Sequence, residues 1–245
     1  MDSGYYAAMT GLIARTQALD AAAANLANTQ TPGYRAEREF FRSVLLGPDA
    51  ADSQLGETVN QYGLLGGDNL SLAQGALQKT GNPLDLAIVG QGFFQIQTQN
   101  GPRFTRDGGF VRSRQGLLVT RAGEPVLSST GQPIATPPGE IEVGADGSIS
   151  VAGGLVATVG VFEFPKGASL KAEGTNRYVA PAGVKPQLAN SYAIQQGSIE
   201  GANEDIVQGT MDLIMMQRQA EMMQKALTVF HTDFNKFATE DLPRV

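Results

Sequence analysis

From Asn203 to about residue 238 the chain runs without a Gly–Pro break, and its apolar residues repeat on a fixed period. Ile206, Leu213, Ala220, Leu227 and Phe234 recur every seven residues, and Met216, Met223, Phe230 and Phe237 follow four of them at a spacing of three. That is an a/d pattern sustained over about four heptads, the mark of a helix that lies along a partner helix. Gly209 occupies the first d position and is the weak point of the seam. Asn203 reads as an N-cap, and Glu204 and Asp205 place carboxylates in the first turn, where the helix dipole favours them. At a rise of about 1.5 Å per residue such a helix is roughly 50 Å long. It needs a long surface to lie against.

The other end of the chain offers one. Tyr5, Leu12, Leu19 and Leu26 also recur every seven residues, with Met9, Thr16 and Ala23 four behind the first three. Ala21 to Ala24 supply helix propensity and room for a close neighbour. Pro32 disfavours helical geometry at Thr31, and Gly33 follows, so this helix should stop near residue 31. Two readings follow from periodicity: two amphipathic helices laid on a globular core, or a terminal coiled coil standing apart from the middle of the chain. Asn25 and Asn28, three apart, share a helix face beside Leu26. Buried amides need partners, so they can set the register of neighbouring helices, tie the helix end to the loop behind it, or simply cap one molecule.

Between the two seams the period changes. Residues 36–83 read as an irregular connector: Phe40, Phe41, Val44, Leu45 and Leu46 suggest one short element, Gly47-Pro48 and a polar stretch to Asn60 break it, and Gly63, Gly66, Gly67 and Gly75 prevent a long one. From Leu84 to Glu200 the pattern is that of β structure. Leu84, Leu86 and Ile88 alternate with Asp85 and Ala87, and Phe94, Ile96 and Thr98 alternate with Gln95 and Gln97. Asn100-Gly101, Asp107-Gly108, Gln115-Gly116 and Asp146-Gly147 are hairpin signals. Val156 to Phe164 reads as one longer strand closed by Pro165, and Tyr192, Ile194 and Gln196 lead out toward the last helix. Many short strands between such turns predict an antiparallel sandwich or barrel-like domain.

Composition excludes several roles. Eighteen Lys plus Arg against 24 Asp plus Glu give a formal charge of −6, which argues against nucleic acid as the main partner. With no cysteine and one histidine, a thiolate or His-rich metal site cannot be built. His231 lies within the heptad helix and reads as a surface residue. Gly90-Gln91-Gly92 lacks the third glycine of a dinucleotide fingerprint. Arg103, Arg106, Arg112 and Arg114 cluster around a predicted hairpin, as a solvated strand face or an anion site; Asp107 reads as a turn residue. No catalytic residue, cofactor or metal is expected. No apolar run is long enough to span a membrane, and no basic-then-apolar leader opens the chain, so it is either cytosolic or exported by a route that this pattern does not report.

Four blocks of residues carry a resemblance. Ala24-Asn25-Leu26-Ala27-Asn28-Thr29-Gln30-Thr31-Pro32-Gly33-Tyr34-Arg35 resembles the signature near the start of bacterial flagellar rod and hook proteins, with Ala24 where that family commonly has Asn. Gly81-Asn82-Pro83-Leu84-Asp85-Leu86-Ala87-Ile88 with Gly90-Gln91-Gly92-Phe93-Phe94, Phe104-Thr105-Arg106-Asp107-Gly108-Gly109-Phe110, and the run from Gly197 to Met211 match the same family in the same order. The block around Thr-Pro-Gly-Tyr-Arg and the chain length resemble the proximal-rod member, and the Gly-Phe-Phe block the distal-rod member; both stay open.

The resemblance implies an α+β fold in which long N- and C-terminal helices (1–35 and 201–245) form a coiled-coil inner domain, joined by the connector (36–83) to a central antiparallel β domain (84–200). It implies a structural subunit of the flagellar basal-body rod, packed helically with copies of itself and other rod proteins into a hollow drive shaft that transmits torque. Export would use the flagellar type III apparatus, with no cleaved signal peptide. The assembly interface would then comprise Leu12, Leu19, Asn25, Leu26, Asn28, Ile206, Leu213, Met216, Ala220, Met223, Leu227, Phe230 and Phe234. Non-closing contacts of this kind build filaments. The alternative is a secreted β-rich module that binds glycan or peptidoglycan, which would leave the two seams without a role.

Overall fold

The computed structural model describes residues 2–42, 64–165 and 167–236. Among the described residues the chain forms two helices and seventeen strands. Helix α1 spans Asp2–Ala27, and helix α2 spans Ile206–Lys236. α1 ends in a turn in which the Thr31 amide donates to the Asn28 carbonyl at 2.9 Å, one residue ahead of Pro32. α2 starts at Ile206, so Glu204 and Asp205 precede it instead of forming its first turn. The expected elements at Val44 to Leu46 and Gly47 to Asn60, and the seam position Phe237, lie outside the described residues; nothing is described of the side chains of Tyr5, Phe230, His231 and Phe234.

The fold class expected from the two seams is corrected. The molecule is sheet-rich, only 23% helical, and its terminal helices do not form a coiled-coil inner domain. Among the described side chains of α1, Gly11, Ala14, Ala18 and Asn25 are buried, whereas Leu12, Leu19 and Leu26 are only partly covered and Thr16 and Ala23 are exposed. On α2, Leu213, Met216, Ala220, Met223 and Leu227 are partly covered, and Ile206 is 49% exposed. A coiled coil needs its apolar residues confined to one stripe with polar residues elsewhere. Here Val207, Met211, Ile214, Met215, Met222 and Val229 carry exposed apolar surface as well, so the seven-residue repeat does not single out one seam.

Two compact units result. One comprises Met1–Leu26, Glu37–Asn69 and Ile206–Val245, and contains both helices, β1 (Glu37–Arg42) and most of β2 (Leu64–Leu70). The other comprises Ala27–Ala36 with Leu70–Asp205 and holds the remaining strands.

The second unit is built on a six-stranded sheet. β5 (Phe93–Thr98) and β6 (Gly101–Thr105) form its central hairpin, with β14 (Arg177–Val179) and then β13 (Lys171–Ala172) beyond β6, and β12 (Val161–Glu163) and then β15 (Gln187–Leu188) beyond β5. Phe93 pairs with Phe162 and Phe94 with Val161, so alternate side chains serve opposite faces. On one face Phe94, Ile96 and Val161 join Leu86, Ile88, Phe110, Leu118, Val126, Ile149 and Ile194 in the main core. On the other, Phe93, Phe104, Phe162, Leu170 and Tyr178 form a second cluster tied by edge-on ring contacts, Phe93 to Tyr178 at 5.6 Å among them. β9 (Ile141–Val143), β10 (Ser148–Val151) and β11 (Gly154–Thr158) add a three-stranded sheet, and β4 (Leu86–Gly90) pairs with β16 (Tyr192–Gln196).

Turn chemistry places three of the four expected turns. Asn100-Gly101, Gln115-Gly116 and Asp146-Gly147 close or flank strand reversals, whereas Asp107-Gly108 lies in a loop held against β4. The long strand expected over Val156 to Phe164 is two strands, interrupted at Gly160. The partner changes there, from β10 for β11 to β5 for β12, and a Cβ at Gly160 would sit 2.8 Å from the Ser128 carbonyl oxygen, so the position favours glycine.

Candidate assembly site and its anchoring cluster

The segment Thr31–Ala36 has no strand or helix pairing of its own, yet Gly33, Tyr34, Arg35 and Ala36 are all buried. Each backbone group must find a partner elsewhere. The Gly33 amide donates to the Glu200 carbonyl at 2.8 Å, the Arg35 amide to the Tyr178 hydroxyl at 2.8 Å, and that hydroxyl donates to the Gly33 carbonyl at 3.2 Å. The Ala36 amide donates at 2.7 Å to the Asn203 side-chain oxygen, whose Nδ2 donates to the carbonyls of Ser71 and Ala73. Asn203, expected as a helix cap, is therefore a splice between three stretches of backbone. Gly33 adopts φ +69, and a Cβ there would sit 2.1 Å from the Asp107 amide nitrogen, so the position requires glycine on two counts.

At the centre lies a cluster of charges. The Glu200 carboxylate, fully buried, accepts from Arg35 Nη2 at 2.8 Å, Arg106 Nη1 at 2.9 Å and the Gly75 amide at 2.8 Å. Arg35 also donates to the Ala73 carbonyl, and Arg106 to the carbonyls of Ile88 and Gly90 while lying over the Phe93 ring, 5.4 Å from its centroid. Burial pulls the Arg106 guanidinium down to about 10, with Glu200 opposing the shift and Arg35 adding to it. Two guanidiniums thus share one carboxylate, and both Nε–H groups lack a partner among the described residues.

Arg106 is accordingly neither a solvated strand residue nor an anion site. Arg103 pairs with Glu173 at 2.9 Å, and Arg112 and Arg114 are exposed, so the four arginines do not act together. Asp107 does more than turn the chain: it accepts from the Gly109 amide and from Asn176 Nδ2, and burial pushes its carboxyl up. Gly108 packs so closely on β4 that a Cβ would fall 1.6 Å from the Leu86 carbonyl oxygen.

The expected interface residues lie elsewhere. Asn25 is buried and forms a two-point bridge to Glu37: its Nδ2 donates to the Glu37 carbonyl and its Oδ1 accepts from the Glu37 amide, both at 2.9 Å. Asn28 accepts from the Thr31 hydroxyl at 3.1 Å. The two amides therefore tie the end of α1 to the chain that follows. Leu12, Leu19 and Leu26 on α1, and Leu213, Met216, Ala220, Met223 and Leu227 on α2, keep part of their surface accessible, and Ile206 more. Among the described residues no three His, Cys, Asp or Glu side chains gather to hold a metal.

Nothing local in the sequence marks Glu200, Arg35 and Arg106 as partners. The available signal was a charged residue inside each of three glycine-containing blocks; what pairs with what is a tertiary fact.

Residues from all four blocks singled out in the sequence meet at this cluster. Residues 87–151 match the model of the flagellar hook protein FlgE/F/G D1 domain, and residues 6–35 that of the flagella basal body rod protein. The flagellar basal-body rod protein FlgF of Caulobacter vibrioides is 33% identical over 93% of each chain. FlgF of Rhizobium meliloti is 37% identical over 89% of each chain, and FlgG of Bacillus subtilis 29% identical over 91% of this chain and 93% of its own. Identity of 33% over 93% of the chain, and of 37% over 89%, means that the chain belongs to the family of flagellar basal-body rod proteins.

Proposed function

We propose that this chain is a structural subunit of the bacterial flagellar basal-body rod and works there as part of the axle. The observation that carries the reading, beyond the family, is the exposed apolar surface along α2: Val207 is 69% exposed, Met222 62%, Val229 57% and Met211 55%. A 31-residue helix with apolar side chains on several faces loses stability in water unless other molecules cover it. Neighbouring subunits, whether copies of this chain or other rod proteins, provide that cover. Leu12, Leu19, Leu26, Ile206, Leu213, Met216, Ala220, Met223, Leu227, Phe230 and Phe234 are the residues assigned to those contacts, whereas Asn25 and Asn28 hold the end of α1 within the chain itself. The role is mechanical: the subunit transmits torque within a helically packed, hollow shaft. It reaches the rod through the flagellar type III route.

The test is incorporation. Leu213→Asp or Leu227→Asp places a carboxyl group in the covered surface at a cost of several kcal/mol where it cannot reach water. Either variant should be lost from isolated basal bodies and abolish swimming in cells that depend on it, while thermal melting of the free chain moves little. Wild-type motility with both variants would remove the basis for the assignment.

A further inference from the structure

We propose that the groove along the outer edge of β9 is a docking site for an extended segment of a partner polypeptide, one that turns basic side chains toward Glu140 and Glu142 and an acidic one toward Arg112. All of it lies within the second unit, and the proposal does not rest on the rod reading. β9 ends the three-stranded sheet and pairs with β10 alone. The Ala152 amide donates to the Glu140 carbonyl at 3.1 Å and the Gly144 amide to the Ser148 carbonyl at 2.8 Å, so the even-numbered residues bond inward and Ile141 and Val143 turn their backbone groups outward. The Gln196 carboxamide already occupies that edge as one residue of a neighbouring strand would. Its Nε2 donates to the Ile141 carbonyl at 2.8 Å, and its Oε1 accepts from the Val143 amide at 3.2 Å. The Ile141 amide and the Val143 carbonyl point the same way and meet no strand among the described residues.

The walls of the groove suit a backbone. Its volume is about 560 Å³, and three of the residues that line it, Gly81, Gly139 and Gly197, have no side chain to keep another chain at a distance. Gln196 spans it: the same Nε2 that reaches the Ile141 carbonyl also donates to the Pro83 carbonyl at 2.8 Å, which fixes the spacing of the two sides. No aromatic ring lines it, so a nucleobase finds no stacking surface there. Charge then selects the side chains of the occupant. Glu140 and Glu142, two apart on an extended strand, share one side of β9, and Arg112 also lines the groove. All three are exposed, and none of their side chains is held in a hydrogen bond or ion pair among the described residues. Opposite charges facing one another across neighbouring strands attract, and like charges repel. A segment with lysine or arginine at alternate positions therefore matches Glu140 and Glu142, while an acidic one is turned away. Added strands take affinity from main-chain hydrogen bonds and selectivity from alternate side chains, and this edge offers both.

Fluorescence polarisation with the full-length chain tests it. The probe is a fluorescein-labelled hexapeptide in which valines alternate with two lysines and one aspartate. Saturable binding is expected, weakened about tenfold when both lysines are replaced by glutamate, since each exposed charge pair is worth a few-fold. Glu140→Lys combined with Glu142→Lys should reverse that preference; both positions are exposed, so the melting temperature should stay near that of the wild type. Methylating the valine amides of the probe keeps every charge and removes main-chain donors, and it should abolish saturable binding. Absence of saturable binding, equal binding of the lysine and glutamate peptides, or an unchanged preference in the double variant would overturn the proposal. So would full binding of the methylated peptide, which would show a patch that gathers counter-charge and not a strand edge.

Discussion

Replacing Glu200 by glutamine removes one charge and almost no volume, which makes it a clean probe of the cluster. The carboxylate is fully buried and accepts from two guanidiniums and from the Gly75 amide. Glutamine offers one accepting oxygen and turns an NH2 group toward donors, so one guanidinium loses its partner and both lose their counter-charge. Breaking a buried ion pair from one side costs about 3–5 kcal/mol, because the remaining charge stays buried without compensation. For a chain of this size each kcal/mol moves the melting temperature by about 2–4 °C, so the expected loss is roughly 6–20 °C. Arg103→Met is the control: Arg103 pairs with Glu173, which is 37% exposed, and pairs of that kind contribute at most about 1 kcal/mol. Thermal and urea unfolding of the full-length chain, followed by circular dichroism, measure both. If Glu200→Gln costs no more than Arg103→Met, the cluster does not hold the unit together and the reasoning fails.

Gly33→Ala should be more damaging than its size suggests, since the new Cβ meets backbone at 2.1 Å and the φ of +69 disfavours it; insoluble or markedly destabilised protein in expression and melting assays is expected, and a near-wild-type melt would refute it. Ala152, the one non-glycine residue with positive φ among the described residues, turns the β10–β11 hairpin at φ 50, so Ala152→Gly should raise stability by up to about 1 kcal/mol in urea titrations. Burial raises the folded pKa of Asp107 above its ordinary 3.8, so ionising it disfavours the folded state: its contribution should improve as pH falls through the folded value, and Asp107→Asn should flatten that part of the stability–pH curve. An unchanged pH dependence in the variant would assign the curve to other carboxyls.

The periodicities determined the two terminal helices and much of the extended middle, because helix and strand repeats are local properties, but not β1 and β2, which lie in the stretch that reads as an irregular connector. A seven-residue repeat of Leu, Met and Phe is enough to specify two terminal helices, and Asn-Gly, Gln-Gly and Asp-Gly dipeptides, with their tolerance of turn geometry, are enough to place three reversals. The same repeat did not determine what the helices lie against. Apolar residues at Val207, Met211, Ile214 and Met222 compete with the seam, and only burial in three dimensions shows that Gly11, Ala14 and Ala18 are the covered positions of α1 while its leucines stay partly open. Composition could mark Arg35, Arg106 and Glu200 as charges in apolar surroundings, but not that they meet. That pairing joins positions 94 and 165 residues apart in the chain, and it exists only because β4, β6 and the Thr31–Ala36 segment bring them to one place. Short-range patterns follow from backbone geometry at each residue; long-range charge pairing follows from which surfaces the folded chain has already buried, and only the tertiary structure decides that.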